Sequence, residues 1–163
     1  MELEYNNEPL FVAVGEDAPR AELPFVEREA ITAIVYDPKT KKYLGLKWKK
    51  VDWETFITGG VEEGQTPEQA ARAEVLEETG YKNLKLVKQL PNFHAQFYHH
   101  PKGVNRFAHF HSFLFELEND EREVVSEDEQ KNHDCVWLSP EELDKFRLPE
   151  GHRFLLEDIS KGL

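Results

Sequence analysis

The apolar positions of this chain fall into short runs separated by polar and turn-forming residues, a pattern typical of β-strands. Residues 30–36 are rich in β-branched side chains and almost continuously apolar, as expected of a strand buried on both faces. A weaker run at residues 10–14, closed by Gly15 and Pro19, predicts a strand followed by a turn. Further strands are predicted at residues 43–47, 55–58, 84–90, 93–99, 106–117 and 135–138.

The helical signals begin after a Gly-Gly break at residues 59–60, where the period of the pattern changes. Residues 66–69, Thr-Pro-Glu-Gln, combine a capping hydroxyl, a proline at the first helical position and a glutamine at the third. Gly80 ends this helix as a left-handed cap would. Ser139 and Pro140 repeat the start signal for a second helix, and a third is predicted at residues 152–160. Residues 118–132 are predicted to be a charged loop.

The length and composition favour a single intracellular domain. A chain of 163 residues suffices for one domain with a hydrophobic core and is short for two. The single cysteine, Cys135, excludes a disulfide framework and a multi-cysteine zinc site. The first four residues, Met-Glu-Leu-Glu, include two acidic side chains where a signal peptide would be basic, and no apolar run approaches the roughly 20 residues that cross a bilayer. We therefore expect a cytoplasmic protein without a membrane partner.

The net charge of −12 limits the class of ligand. It repels polyanions and so excludes a broad face for extended nucleic acid. A small phosphorylated ligand bridged by Mg²⁺ remains compatible with this charge. The oligomeric state stays open, a homodimer included.

The helix predicted from Thr66 carries an unusual set of glutamates. At about 100° per residue, Glu74, Glu77 and Glu78 share the face of Ala70 and Ala71. Carboxylates beside a stripe suited to packing are partly desolvated and repel one another, and a divalent cation removes this conflict. Mg²⁺ prefers such oxygen ligands. The alternative is an exposed, glutamate-rich helix without a ligand.

The glycines before this helix favour the metal interpretation. Gly59 and Gly60 allow backbone groups to approach a ligand closely, and we include Gly59 among the predicted metal ligands. Gly64 adds a second flexible point. A strand, a glycine turn and a helix with an inward acidic cluster together predict a metal and pyrophosphate site.

Residues 59–81 resemble the Nudix box, G-x5-E-x7-R-E-U-x-E-E-x-G-U, in which U is a bulky aliphatic residue. Glu74, Glu77, Glu78 and Gly80 fall on their motif positions. Trp53, the strand order and residues 137–143 also resemble the Nudix hydrolase superfamily.

This resemblance implies a single α/β domain, an α/β/α sandwich around a mixed sheet. We assign residues 25–163 to this domain and residues 1–24 to an N-terminal extension with one strand. It also implies Mg²⁺-dependent hydrolysis, with Mn²⁺ as a possible substitute. The substrate class is a nucleoside diphosphate linked to another moiety.

Two positions depart from the motif. Gln65 replaces its first glutamate and cannot act as a base or bring negative charge to a metal. Ala73 replaces its arginine and cannot form the ion pair that steadies the helix glutamates. Arg72 is not a substitute, because a shifted alignment loses the other matches and because Arg72 points about 100° further round, to the side predicted to be exposed.

These departures leave two hypotheses about function. In the first, the chain is an active pyrophosphohydrolase in which Glu127 or Glu129, placed before the last strand, takes the proton of the attacking water. In the second, it is a nucleotide-binding or regulatory module with little turnover. Residues 23–28 and 56–60 support the second, because they resemble Nudix-like domains inserted in some bacterial leucyl-tRNA synthetases.

Three further residues are candidates for binding the substrate. Trp53 precedes the motif and is suited to stacking on a nucleobase, although core packing is an alternative. Arg28 and Arg106 are suited to pairing with phosphate, although surface ion pairs are the default. Several histidines, among them His109 and His111 on one strand face, are expected to be satisfied or exposed rather than zinc ligands.

Overall fold

The computed structural model describes residues 2–162, which form a nine-stranded sheet with helices on both faces. The strands are β1 (Leu3–Tyr5), β2 (Glu8–Val12), β3 (Phe25–Asp37), β4 (Lys42–Trp48), β5 (Glu54–Thr55), β6 (Ile57–Gly60), β7 (Leu84–His99), β8 (Val104–Leu117) and β9 (His133–Leu138). The helices are α1 (Pro67–Thr79), α2 (Glu127–Asn132), α3 (Pro140–Lys145) and α4 (Glu150–Lys161), and a 3-10 turn covers Gly15–Asp17.

The long strand β3 organises the sheet. It pairs in parallel with β8, and the stretch Ala30 to Ala33 pairs antiparallel with β6 on its other edge. The main strand order is β1-β2-β7-β8-β3-β4-β5, with β9 beside β4. The pair of β2 with β7 is also parallel and the remaining pairs are antiparallel, so the predicted mixed sheet is confirmed.

Successive side chains of β3 enter two different cores, because neighbours along a strand point to opposite faces. Ile31, Ala33 and Val35 are fully buried in the core beneath α1. Ala30 and Ile34 enter the core covered by α3 and α4. The predicted α/β/α sandwich is therefore confirmed.

The pattern at residues 84–99 differs from the prediction of two strands. β7 is continuous through Pro91, and its register against β8 shifts between Leu90 and Phe93. Proline cannot donate to a strand ladder, and a bulge accommodates it without ending the strand. β7 pairs with the long strand β8 on both sides of this bulge, so the two segments form one strand.

Two other segments also differ from their predictions. Residues 118–132 were expected to be a loop, but Ser126 caps the short helix α2, whose residues are all at least partly exposed. A helix that buries nothing has no apolar period to reveal it. β3 starts at Phe25 rather than Ala30, because its first five residues, three of them charged, also pair with β8. The N-terminal residues add β1 as well as β2, which pairs with β7.

No helix within residues 2–162 combines the length and apolar character needed to cross a bilayer.

Candidate functional site

The helix α1 is fixed at both ends by its own sequence. The Thr66 hydroxyl accepts a hydrogen bond from the Gln69 amide at 3.1 Å, and the Gln69 side chain accepts one from the Thr66 amide at 2.9 Å. Gly80 ends the helix with φ of 81°, a left-handed conformation that favours glycine. These local contacts fix where the helix begins and ends, and the helix packs against the strand β6.

The structure separates the three predicted helix glutamates by exposure. Glu78 is 6% exposed, Glu74 is partly buried and Glu77 is exposed. The expectation that all three share the packing face is therefore right for Glu74 and Glu78 and wrong for Glu77. Thr79, the last residue of α1, is fully buried, and its hydroxyl donates a hydrogen bond to the Val75 carbonyl at 2.6 Å.

Burial and mutual repulsion disfavour ionisation of the inward glutamates. Burial raises the pKa of Glu74 from 4.5 to about 7, and the charge of Glu77 adds to the rise while Arg28 opposes it. Burial, followed by the charge of Glu74, raises the pKa of Glu78 well above 4.5. The Oε2 atom of Glu78 is buried and has no hydrogen-bond partner. Such a group is costly unless a cation or a proton satisfies it.

The two glycines before α1 create the space for these groups. A Cβ atom at Gly59 would overlap the carboxylate of Glu74, and one at Gly60 would overlap the guanidinium of Arg28. The close approach therefore requires glycine at both positions. The Glu74 side chain therefore packs against Gly59, the predicted ligand, and the Arg28 side chain packs against Gly60.

The charges that act on Glu74 and Glu78 distinguish the two candidate bases, Glu127 and Glu129. Glu129 acts on the pKa of both Glu74 and Glu78, and burial raises the pKa of Glu129 itself. Glu127 is exposed on the first turn of α2 and is absent from the charges that act on Glu74 and Glu78. The structure thus brings Glu129, and not Glu127, to the carboxylate cluster.

His133 joins this group and was not predicted from the sequence. Its Nε2 donates to the backbone carbonyl of Glu78 at 2.8 Å, and its Nδ1 lies 3.6 Å from the carboxylate of Glu129. It therefore links the end of α1 to α2. A lone histidine before a strand carries no sequence signal for this role.

The two motif departures have structural counterparts. The Gln65 side chain accepts a hydrogen bond from the Glu62 amide at 2.9 Å and closes the loop before α1. Ala73 is exposed. Arg72 does not replace the missing arginine, since it donates to the Leu84 carbonyl. Its guanidinium covers the Phe115 ring, so its side is half-buried rather than exposed as predicted.

The candidate substrate residues meet on the α3–α4 face of the sheet. Arg28 of β3 pairs with Ala108 of β8. Arg106 lies two residues before Ala108 on the same strand, so its side chain is on the same face of the sheet, and it pairs with Phe97 of β7. The Trp53 ring lies 6.3 Å from the Phe97 ring. Trp53, Arg28 and Arg106 therefore border one region, although they are far apart in the chain.

Two further residues belong to this region, His99 and Asp17, of which only Asp17 was not considered from the sequence. His99 lies 6.1 Å from Trp53 by ring centroids, and burial followed by the charge of Arg106 lowers its pKa from 6.5 to about 4. Asp17, in the 3-10 turn, accepts a hydrogen bond from the Trp53 indole at 3.0 Å. Asp17 also contacts His100 at 2.9 Å, so the N-terminal turn holds the tryptophan in place.

The donor set of the cluster suits a hard divalent cation. Within residues 2–162, no three His, Cys, Asp or Glu side chains already converge closely enough to hold an ion alone. Mg²⁺ does not require such a cage, since it combines one or two carboxylates with waters and substrate phosphates. The unpartnered Oε2 of Glu78 and the space at Gly59 fit that mode.

The fold and the site define an α/β/α domain with a glycine loop and a carboxylate-bearing helix. The family model described as the NUDIX domain matches residues 26–159, and the chain belongs to this family. A search of curated proteins gives no match.

Solved structures of low identity share the fold. The E. coli dihydroneopterin triphosphate pyrophosphohydrolase is 23% identical with a TM-score of 0.62, covering 85% of this chain and 99% of that one. The NUDIX domain of Shewanella oneidensis NrtR, complexed with ADP ribose, is 12% identical with a TM-score of 0.64, covering 83% and 88%. A NUDIX hydrolase from Nitrosomonas europaea is 19% identical with a TM-score of 0.60, covering 84% and 90%.

Proposed function

We propose that the protein is a Mg²⁺-dependent hydrolase that cleaves the pyrophosphate of a nucleoside diphosphate linked to another moiety. The observation that carries the proposal is the buried, unpartnered carboxylate oxygen of Glu78, next to a Glu74 whose pKa is raised to about 7. Two such groups on one helix face favour a bound cation in the working protein.

The carboxylates would hold the cation. Glu74, Glu77 and Glu78, with the backbone of Gly59, are the proposed ligands, and Mn²⁺ is the proposed substitute. When bound, the ion polarises a phosphoryl group and acidifies a water molecule. Glu129 is the proposed acceptor for the proton of that water, and His133, the first residue of β9, lies 3.6 Å from the Glu129 carboxylate.

The α3–α4 face of the sheet would bind the rest of the substrate. Arg28 and Arg106 offer two positive charges for phosphate oxygens, and Arg28 also influences Glu74. Trp53 offers a flat surface for a nucleobase. Because Gly59 and Gly60 contact Glu74 and Arg28 respectively, this region is directly connected to the carboxylate cluster.

A second candidate function is nucleotide binding with little turnover. It is favoured by Gln65, whose side chain closes the loop before α1, and by Ala73, which cannot pair with a helix glutamate. In this case the resemblance to the domain inserted in leucyl-tRNA synthetases would indicate a regulatory role within a larger enzyme.

A chromatographic screen for nucleoside monophosphate products separates the two functions, because cleavage of the pyrophosphate yields phosphomonoesters rather than inorganic phosphate. The protein is incubated with Mg²⁺ and a panel of ADP-ribose, dinucleoside polyphosphates, nucleotide sugars and nucleoside triphosphates. We expect turnover of at least one compound, lost in Glu78→Gln and strongly reduced in Glu77→Gln. Glu63→Gln is the matched control, because Glu63 is an exposed loop carboxylate. Nucleotide binding without turnover on any compound would refute the hydrolase and support the second function.

A further inference from the structure

A group of histidines and glutamates lies outside the site described above. His94 of β7 and His109 of β8 are direct cross-strand partners, and His111 follows on the same face of β8. We call these three residues the histidine cluster. They border a cavity of about 480 Å³, together with Tyr5, three carboxylates and Arg28, the one lining residue that also belongs to the proposed substrate region. This is the face of the sheet that α1 covers elsewhere, opposite to Trp53 and Arg106.

Each imidazole of the histidine cluster is held by a carboxylate through Nε2. The distances are 2.9 Å from His94 to Glu8, 2.9 Å from His109 to Glu27 and 3.1 Å from His111 to Glu29. An ionised carboxylate can only accept, so each Nε2 carries a proton. The lone pair of a neutral ring is then on Nδ1.

The two Nδ1 atoms of His94 and His109 face each other at 2.7 Å. Two lone pairs at that distance repel, so the contact requires one proton between them. Tyr5 covers the pair, with its ring stacked 5.2 Å from His109 and edge-on 4.8 Å from His94.

We propose that the histidine cluster is a second metal site, in which a divalent transition-metal ion replaces the proton shared by His94 and His109. Imidazole nitrogens suit Zn²⁺, Co²⁺, Ni²⁺ and Cu²⁺ rather than Mg²⁺. Histidine ligands in metal sites commonly donate their other ring N–H to a carboxylate, which fixes the tautomer and the ring orientation. All three histidines already have this arrangement.

The geometry requires a small movement. Nitrogen–zinc distances of about 2.0–2.1 Å place two tetrahedral ligands about 3.3 Å apart. His94 and His109, now 2.7 Å apart, would therefore separate by about 0.6 Å. Three donors do not yet converge on one point within residues 2–162, so His111 would turn towards the ion as the third ligand. Water or a small ligand would complete the coordination.

Titration with Co²⁺ tests the site. The metal-free protein is titrated at pH 7 in excess Mg²⁺, which occupies oxygen sites, and visible absorption and proton release are recorded. We expect one equivalent of bound Co²⁺ and about one proton released per ion. His94→Gln and His109→Gln each lower the affinity at least ten-fold, and Glu27→Gln lowers it by a smaller factor. His100→Gln is the control and should leave Co²⁺ binding unchanged, because His100 contacts Asp17 and not the histidine cluster.

Several results would overturn the proposal. One is the absence of stoichiometric binding, and another is binding that survives both His94→Gln and His109→Gln. Binding without proton release in the wild-type protein also overturns it, and this measurement does not depend on whether a variant folds. Glu78→Gln separates the two sites, because it removes the proposed hydrolysis and must leave Co²⁺ binding intact. Loss of Co²⁺ binding in Glu78→Gln would place the ion at the carboxylates instead.

Discussion

Replacing Glu74 by glutamine is expected to stabilise the metal-free protein at alkaline pH. Glutamine keeps the shape of the side chain and removes the charge that burial and Glu77 oppose. The pKa rises from 4.5 to about 7, and each pKa unit corresponds to about 1.4 kcal/mol, which gives about 3 kcal/mol. Glu74 is only partly buried, and solvent screening reduces the expected gain to about 1–3 kcal/mol.

The sign of this effect follows from the direction of the pKa change. A carboxyl whose pKa is higher in the folded state contributes its full stability below its unfolded pKa, about 4.5. That contribution is lost as the pH rises through about 7. Glu74→Gln should therefore resemble the wild-type protein at pH 5 and exceed its stability at pH 8.

Urea denaturation followed by tryptophan fluorescence measures the effect at both pH values, with a chelator present. Glu63→Gln is the matched control and should change little at either pH. Added Mg²⁺ should stabilise the wild-type protein at pH 8 more than it stabilises Glu74→Gln, because binding to the folded state adds stability. Equal effects of Glu74→Gln at pH 5 and pH 8, or a loss of stability at pH 8, would refute the reasoning.

Three further predictions concern the proposed active site. The double variant Gln65→Glu with Ala73→Arg should raise kcat at least about ten-fold, because it restores an acid and an ion pair. An unchanged kcat would show that these two departures from the motif do not limit turnover. Gly59→Ala should lower Mg²⁺ affinity and turnover at least about ten-fold, because the added Cβ displaces the Glu74 carboxylate, and calorimetric Mg²⁺ titration measures this. If the Trp53 ring stacks on the base, Trp53→Ala should raise KM about ten-fold or more with little change in kcat. Trp53→Phe should retain much of the affinity, and steady-state kinetics of both variants measure the difference.

The candidate site was predictable as far as its contacts are local. The capping residues Thr66 and Gln69, the cap Gly80 and the glutamates of α1 all lie within one short segment. Helix period and capping chemistry depend on neighbours three or four residues away, so the sequence shows them directly. The departures at Gln65 and Ala73 were visible for the same reason.

Contacts between distant segments decided the rest of the site. Glu127 and Glu129 are equivalent in the sequence, and only the docking of α2 brings Glu129 to the carboxylates. The Asp17 contact with Trp53 spans 36 residues, and no sequence pattern indicates it. The 2.7 Å contact between the Nδ1 atoms of His94 and His109 likewise depends on a cross-strand register that two separate strands adopt only in the folded sheet.

The sequence by itself determined the strands with strong apolar runs, the start and end of α1, and the acidic helix with its glycine loop. Their signals arise from side-chain periodicity and local hydrogen bonds. The tertiary structure alone decided that β7 continues through Pro91, that β3 begins at Phe25, and which charged side chains meet. The physical reason is that pairing with β8 and burial between layers supply free energy that no local segment carries.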